Sequence, residues 1–298
     1  MSINEVDTHI IPFRFEYHAP TSLKEALDLL SRYGGEAALL AGGTDLLVKA
    51  KQRLVEPRHI VNIKSVKELN GIEEKDDGIH IGAATKLRAI EKSETIRDKL
   101  PVLQEAVKTI GSVQIRSMAT IGGNLCNASP AADSATALLA VDAKACTISS
   151  EGARTLPIEE FFLGPGQTAL KPNELLAKVS LPFLPEGCGA AFRKIGRTSL
   201  DIATVNIATM LRLEEDIVID CKIALGAVAP TPIRVRKAEE TLKGKELTDK
   251  ALQATAKTVS ESISPITDIR ATAEYRREVS AALLRDALMI ARDRIRRR

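Results

Sequence analysis

Two short segments rich in glycine and other small residues most constrain what this chain can fold into. The first is AGGTDLL (residues 41–47), which directly follows an apolar stretch, and the second is ATIGGNLCNASPAAD (residues 119–133). No side chain from residue 117 to residue 132 is charged. Glycines let a backbone turn tightly and approach other groups closely. We therefore expect two loops whose backbone N–H groups hold one extended, negatively charged ligand between them.

The residues around the first segment predict a strand, a glycine turn, a helix and a second strand. Residues 37–41 predict a buried strand, Thr44 and Asp45 can cap a helix that runs to about residue 54, and residues 59–63 predict the next strand. The first N–H groups of such a helix are unpaired and partially positive, which favours an anion beside them. The segment is neither a Walker A loop nor a Rossmann GxGxxG fingerprint.

Hydrophobic periodicity predicts an α+β chain with a mixed first part and an antiparallel second part. Before residue 182 it predicts helices over 21–30, 86–90, 101–110 and 133–141, strands over 78–84 and 144–149, and a long loop over 117–132. Residues 182–189, rich in Pro and Gly, predict a domain boundary. Beyond them the pattern predicts a hairpin over 203–213 and 217–225, then helices over about 235–243, 249–263 and 274–296.

The composition excludes several classes of protein. A net charge of +3 is small and evenly spread, which argues against a nucleic-acid partner. No uncharged apolar run approaches the roughly 20 residues of a membrane span, and the amino terminus lacks the pattern of a secretory signal. The basic segment 292–298 is interpreted as a solvated last helical turn, with a docking patch for an acidic partner as the alternative.

The cysteines and histidines give no sign of a metal site. The four cysteines are scattered, which predicts reduced thiols in a cytoplasmic protein and excludes the tight spacings of iron–sulfur or zinc sites. The four histidines are isolated in the sequence, so neither a metal centre nor a catalytic triad is predicted. These residues are Cys126, Cys146, Cys188, Cys221, His9, His18, His59 and His80.

Three motifs together resemble one known family. AGGTDLL (41–47) and QIRSMATIGGNLCNASPAAD (114–133) are similar to segments of the FAD-binding medium subunit of the molybdenum hydroxylases, the xanthine dehydrogenase and aerobic carbon monoxide dehydrogenase group. Phe192, Lys194 and the segment 201–203 (DIA) are similar to that family's Phe-x-Lys…Asp-Ile-Ala signature. The motifs occur in the family's order, from about Phe15 to the final helices.

The resemblance implies a fold and a set of cofactor-binding residues. The fold is a PCMH-type FAD-binding domain over 1–182, built from two α/β subdomains at about 1–62 and 63–182, followed by a C-terminal domain over 183–298 with a small antiparallel sheet and helices. The FAD diphosphate and ribityl chain would lie between Ala41, Gly42, Gly43, Thr44 and Asp45 on one side and Thr120, Gly122, Gly123 and Asn124 on the other.

Three further residues carry expectations from the same resemblance. Asp133 would bind adenosine or ribityl hydroxyls, cap the following helix, or do both. Lys194 would lie near the polar edge of the isoalloxazine, although a lysine between Arg193 and Arg197 is by default exposed. Leu181 would pack against the flavin face or be an ordinary core residue. No residue of this chain is expected to be catalytic or to bind a metal.

The resemblance also implies partners. A small subunit with two [2Fe–2S] clusters and a large subunit with a molybdenum cofactor would complete a heterotrimer, expected as a dimer of heterotrimers. Electrons would pass through the clusters and FAD to a quinone, NAD or oxygen. Two alternatives stay open: a stand-alone FAD-dependent reductase of the UDP-N-acetylenolpyruvoylglucosamine reductase type, and a non-catalytic nucleotide-binding protein.

Overall fold

The computed structural model describes residues 11–296, which form three main sheets and a small strand pair, with helices packed on them. This mixed architecture confirms the predicted α+β class. His9 and the last two arginines of the basic segment 292–298 lie outside the described residues. Within the described range, no helix is both long enough and apolar enough to cross a membrane.

The predicted amino-terminal subdomain, about residues 1–62, contains a small parallel sheet. Its strands are β1 (Glu16–His18), β2 (Ala37–Leu40) and β3 (His59–Asn62), in the order β1-β3-β2, and its helices are α1 (Leu23–Tyr33) and α2 (Leu46–Lys51). The hydroxyl of Ser22 accepts a hydrogen bond from the Glu25 N–H and caps α1, the helix predicted over 21–30. The carboxyl end of β2 leads directly into the first glycine-rich segment.

The second subdomain has an antiparallel sheet and a layer of short helices. Its sheet has the order β4 (Ile72–Lys75), β5 (Gly78–Gly82), β10 (Leu175–Leu181), β6 (Lys144–Ser149) and β7 (Gly152–Pro157), and β8 (Phe162–Gly164) pairs separately with β9 (Gln167–Thr168). Its helices are α3 (Leu87–Lys92), α4 (Glu94–Lys99), α5 (Pro101–Lys108), α6 (Val113–Met118), α7 (Ile121–Cys126) and α8 (Asp133–Ala140).

The prediction of one long loop over 117–132 is wrong, because helix α7 forms within it. Thr120 is the N-cap of α7, and its hydroxyl accepts a hydrogen bond from the Gly123 N–H at 3.1 Å. Gly122 packs so closely on β5's end that an added Cβ would lie 2.6 Å from the Ala83 Cβ. The two glycines that suggested a loop therefore belong to a helical turn, and at Gly122 that turn is packed so closely against Ala83 that a side chain has no room.

The carboxyl-terminal region is an antiparallel sheet between two helical layers. Its strands are β11 (Cys188–Ile195), β12 (Val205–Glu214), β13 (Ile217–Gly226) and β14 (Ile233–Arg234), in that order, and its helices are α9 (Arg236–Leu242), α10 (Asp249–Ser262) and α11 (Ala273–Arg296). The predicted hairpin and all three predicted helices are present. Helices α5 and α8 pack on one face of the sheet, and α9 and α11 pack on the other.

One hydrophobic core runs across the predicted domain boundary. Buried residues of β11 and β12, including Ala190, Phe192 and Met210, belong to the same cluster as Leu103 of α5 and Leu138 of α8. A separate cluster lies between the other face of this sheet and the last three helices. The boundary at residues 182–183 stays a prediction, and the two regions on either side of it are joined by apolar packing.

The close packing of α11 on β11 gives a prediction about stability. A Cβ added at Gly189 would lie 2.0 Å from the Ala291 carbonyl oxygen. Gly189→Ala should therefore force the helix away from the strand and lower the free energy of unfolding by about 1–3 kcal/mol. Chemical denaturation measures this loss. Gly35→Ala is the matched control, since no atom lies within 4 Å of its added Cβ; equal stability of both variants would contradict the packing.

Candidate functional site

A cleft of about 440 Å³ lies between the two glycine-rich segments, within the usual size range of ligand sites, roughly 300–1,000 Å³. The turn after β2, the start of α7, the start of α8 and the end of β11 with its following loop form its walls. Ten of the predicted site residues line it: Ala41, Gly42, Gly43, Thr44, Asp45, Thr120, Gly123, Asn124, Asp133 and Lys194. The structure thus brings together residues from three distant parts of the sequence: 41–45, 120–133 and 194.

Two of the predicted site residues do not line the cleft. Gly122 is buried, and its N–H donates to the Ala83 carbonyl at 2.8 Å. Leu181 is fully buried at the end of β10, where it pairs with Ile79 of β5 in the core of the second subdomain. Both residues are therefore part of the packed interior and not of the surface of the cleft.

The first glycine-rich segment offers free backbone donors. No acceptor for the N–H groups of Gly42, Gly43, Thr44 and Asp45 is present in the described part of the chain. Gly43 has a φ of +77°, a conformation that favours glycine. Asp45 is the N-cap of α2, but its side chain does not cap the helix. The turn therefore presents a row of unpaired N–H groups, which is the arrangement that binds phosphate.

The second glycine-rich segment uses its own N–H groups internally. Ile121 donates to the Thr85 carbonyl at 3.0 Å, and Asn124 donates to the Thr120 carbonyl at 3.0 Å. The expectation that this segment supplies a dense row of free N–H groups is therefore wrong. Its polar contribution is a side chain: Asn124 Oδ1 accepts from Ser134 Oγ at 2.6 Å, and Asn124 Nδ2 has no acceptor among residues 11–296. Gly123 contributes open space, since only Thr120 Oγ1 lies within 4 Å of an added Cβ.

The two segments are held together by a backbone contact and a side-chain network. An added Cβ at Gly42 would lie 2.5 Å from the Met118 carbonyl oxygen, so the two backbones touch there. Asn127 donates to Asp45 Oδ1 at 3.1 Å and accepts from Lys49 Nζ at 2.7 Å. Asp45 thus links the two walls of the cleft. Lys49 also lines the cleft, although no role is predicted for it from the sequence.

A buried ion pair forms part of the wall of the cleft. Lys194 Nζ lies 2.6 Å from Asp133 Oδ2, and both side chains are less than a tenth exposed. Lys194 also donates to the Thr109 carbonyl, and Asp133 accepts from Asn206 Nδ2 at 2.6 Å. Burial raises the pKa of the Asp133 carboxyl, while the Lys194 ammonium opposes this shift. The default expectation of an exposed Lys194 is wrong; it is a buried cation at the cleft.

The mouth of the cleft has exposed aliphatic side chains. Leu200 is 59% exposed, Ile202 is 54% exposed and Ile115 is 41% exposed. None of the described residues that line the cleft is aromatic. Cys126 also lines it, but burial raises the pKa of its thiol to about 12. The thiol is therefore protonated near neutral pH and unsuited to nucleophilic chemistry.

Arg116, in the helix before the second glycine-rich segment, has a structural role. Arg116 is buried and donates to the carbonyls of Ile110 and Gly111, and it pairs with Glu91. It therefore shapes the turn before α6 rather than the second glycine-rich segment.

The expectation that all histidines are isolated is wrong, because His18 Nε2 lies 3.2 Å from His59 Nδ1. The pairing of β1 with β3 brings them together across 41 positions of sequence.

Two family models match the chain. The FAD binding domain in molybdopterin dehydrogenase matches residues 13–184, and the CO dehydrogenase flavoprotein C-terminal domain matches residues 190–291. The first covers more than half of the chain. The matches follow each other without overlap and together extend over most of the sequence.

Similar proteins and structures cover nearly the whole chain. The carbon monoxide dehydrogenase medium chain of Hydrogenophaga pseudoflava is 37% identical over 95% of this chain and 98% of its own length. The xanthine dehydrogenase FAD-binding subunit of Escherichia coli O157:H7 is 38% identical, over 87% and 90% respectively. A solved structure of carbon monoxide dehydrogenase from Hydrogenophaga pseudoflava superposes with a TM-score of 0.92 at 38% identity, covering 95% of this chain and 99% of that chain.

The buried pair at the end of the cleft gives a prediction about stability. Lys194→Met should lower the free energy of unfolding by about 3–5 kcal/mol, because it leaves the Asp133 carboxylate buried without its cation. The double variant Asp133→Asn/Lys194→Met should recover part of that loss. Urea denaturation of the two variants measures the difference. Equal destabilisation by the single and double changes would show that the loss of stability does not come from breaking the ion pair.

Proposed function

The chain belongs to the family of FAD-binding subunits of the molybdenum hydroxylases, and from that premise we propose that it is the electron-transfer component of such an oxidoreductase. Electrons would enter from [2Fe–2S] clusters on a small partner subunit and leave to a quinone, NAD or oxygen. A large partner subunit would carry the molybdenum cofactor and hydroxylate the substrate. We further propose a dimer of heterotrimers and a cytoplasmic location.

The observation that carries the proposal is the row of unpaired N–H groups from Gly42 to Asp45, in residues that line the same cleft as Gly123. These donors, with Asn124 Nδ2, would bind the FAD diphosphate. The absence of a side chain at Gly123 would let the diphosphate approach the start of α7 closely. The first segment would therefore supply the donors, and the second would supply the surface on which the cofactor lies.

The opposite end of the cleft suits the redox end of the cofactor. Bound FAD supplies the electron-carrying chemistry. Lys194, held by Asp133 and the Thr109 carbonyl, would stabilise negative charge at the pyrimidine edge of the ring. A cation that is already desolvated and fixed needs little reorganisation when that charge develops. Leu200, Ile202 and Ile115 would cover the apolar ring in the absence of aromatic side chains, the role that the sequence assigned to Leu181.

The cofactor proposal predicts that Gly123→Val loses FAD. The valine side chain would occupy the space of the diphosphate and weaken FAD binding more than about tenfold, or ~1.4 kcal/mol. The visible absorbance and the released flavin per chain measure the loss. The added Cβ would lie 3.0 Å from Thr120 Oγ1, the hydroxyl that caps α7, so circular dichroism must show that this variant is folded before its flavin content is compared.

Two comparison variants make this test decisive. Gly35→Val adds the same side chain in the 3₁₀ turn before β2, at a residue that does not line the cleft, and should keep its FAD. Gly122→Ala should lose stability instead, because its Cβ meets Ala83. A folded Gly123→Val variant with a full complement of FAD would refute the assigned role of this glycine.

Copurification tests the wider function. When the chain is purified from its native host together with its partners, the complex should contain iron and molybdenum. Substrate should reduce the flavin only in that complex. A stand-alone reductase would instead show NADPH oxidation by the isolated chain. A colourless chain that takes up no FAD would overturn both flavin functions and leave the non-catalytic alternative.

A further inference from the structure

Three side chains with metal-binding atoms converge on one face of the amino-terminal sheet. Glu16 and His18 are two positions apart in β1 and so point to the same side of the sheet. His59 begins β3 and lies opposite Glu16 in the parallel register. One oxygen of Glu16 and one nitrogen of each histidine all lie within 4.8 Å of one another.

The separations between these atoms match those of ligands around one ion. His18 Nε2 and His59 Nδ1 are 3.2 Å apart, and Glu16 Oε2 lies 3.5 Å from His59 Nδ1 and 3.9 Å from His18 Nε2. Metal–ligand bonds of about 2.0–2.2 Å in tetrahedral geometry place neighbouring ligand atoms roughly 3.3–3.6 Å apart. The Glu16 oxygen is near both nitrogens and within hydrogen-bond distance of neither.

We propose that Glu16, His18 and His59 bind one divalent transition-metal ion of the zinc type. Two imidazole nitrogens and one carboxylate oxygen are donors that such ions accept. The histidines are largely buried, while the Glu16 side chain is 70% exposed. Solvent can therefore reach the ion and supply its fourth ligand.

The surroundings of the histidines hold them in place. The Tyr33 ring stacks on the His59 ring with centroids 3.6 Å apart, and on the His18 ring at 5.2 Å. Tyr33 ends α1, so the helix fixes the orientation of the ligand rings from above the sheet. Fixed rings reduce the conformational entropy that binding an ion would otherwise cost.

The site is separate from the cofactor cleft and would have a structural role. His59 pairs with Ala37 at the amino end of β2, whereas the glycine turn follows the carboxyl end of that strand. Among the described residues, β1 is an edge strand of three residues that pairs with β3 alone. An ion held by Glu16, His18 and His59 would cross-link these two strands and stabilise the folded sheet, because a ligand bound only to the folded state raises stability.

Metal titration of the full-length, FAD-loaded chain tests the proposal. Zn²⁺ should bind with one-to-one stoichiometry by calorimetry and raise the melting temperature, and Co²⁺ should give the visible absorption of a tetrahedral ion. Removal of a residue that only orients a metal ligand weakens metal binding about 10–100-fold. His18 and His59 would bind the ion directly, so His18→Ala and His59→Ala should weaken Zn²⁺ binding at least as much. The same changes should abolish the rise in melting temperature.

Matched variants separate this site from adventitious binding. Glu16→Gln keeps the size of an exposed side chain and should weaken Zn²⁺ binding. This variant therefore tests the site even if a histidine variant does not fold. Glu36→Gln, at a nearby exposed carboxylate paired with Arg58, and His80→Gln, at a histidine paired with Asp77, should bind Zn²⁺ as the wild type does. Absence of saturable binding by the wild type, or undiminished binding by Glu16→Gln, would overturn the proposal.

Discussion

The contact between Gly42 and the backbone at Met118 and Ala119 is the constraint on which the cleft depends. A residue with a Cβ at position 42 would lie 2.5 Å from the Met118 carbonyl oxygen, so only glycine lets the two segments touch. Once they touch, Asn127 can bridge Asp45 and Lys49. This contact joins the parallel amino-terminal sheet to the helical layer of the second subdomain, and the space beside it becomes the cleft. The two walls therefore differ. The N–H groups of the turn after β2 are unpaired, whereas those at the start of α7 donate hydrogen bonds that hold the helix against the sheet.

The far end of the cleft depends on a different interaction, the buried pair of Asp133 and Lys194. Asp133 begins α8, Lys194 lies in β11, and Asn206 on β12 donates to the same carboxylate. The pair therefore connects the second subdomain to the carboxyl-terminal sheet at the point where their shared apolar core reaches the cleft. Burial makes each charge costly unless the other is present. The arrangement keeps a cation fixed at the end of the cleft that we assign to the flavin ring.

The sequence predicts much of the fold where the pattern is local. The capped helix α1, the strand before Gly42 and the hairpin over β12 and β13 follow from capping residues and from apolar periodicity. Helix α7 was missed because two adjacent glycines have low helix propensity, and tertiary packing against Ala83 overrides it. The burial of Lys194 and the meeting of His18 with His59 depend on strand pairing between distant segments, which single-sequence patterns do not encode. The role of Lys49 follows from its position four residues after Asp45, on the same face of α2, a signal that the sequence did contain.

The most direct test of the account is amide hydrogen exchange of the isolated chain with and without FAD, resolved at single residues. Without FAD, the amides of Gly42 to Asp45 should exchange fast, and those of Ile121 to Asn124 should already be protected by their internal hydrogen bonds. FAD should slow exchange strongly in the first group and change the second little. Fast exchange at Ile121 to Asn124 that FAD alone suppresses, with Gly42 to Asp45 unaffected, would contradict the assignment of the diphosphate donors.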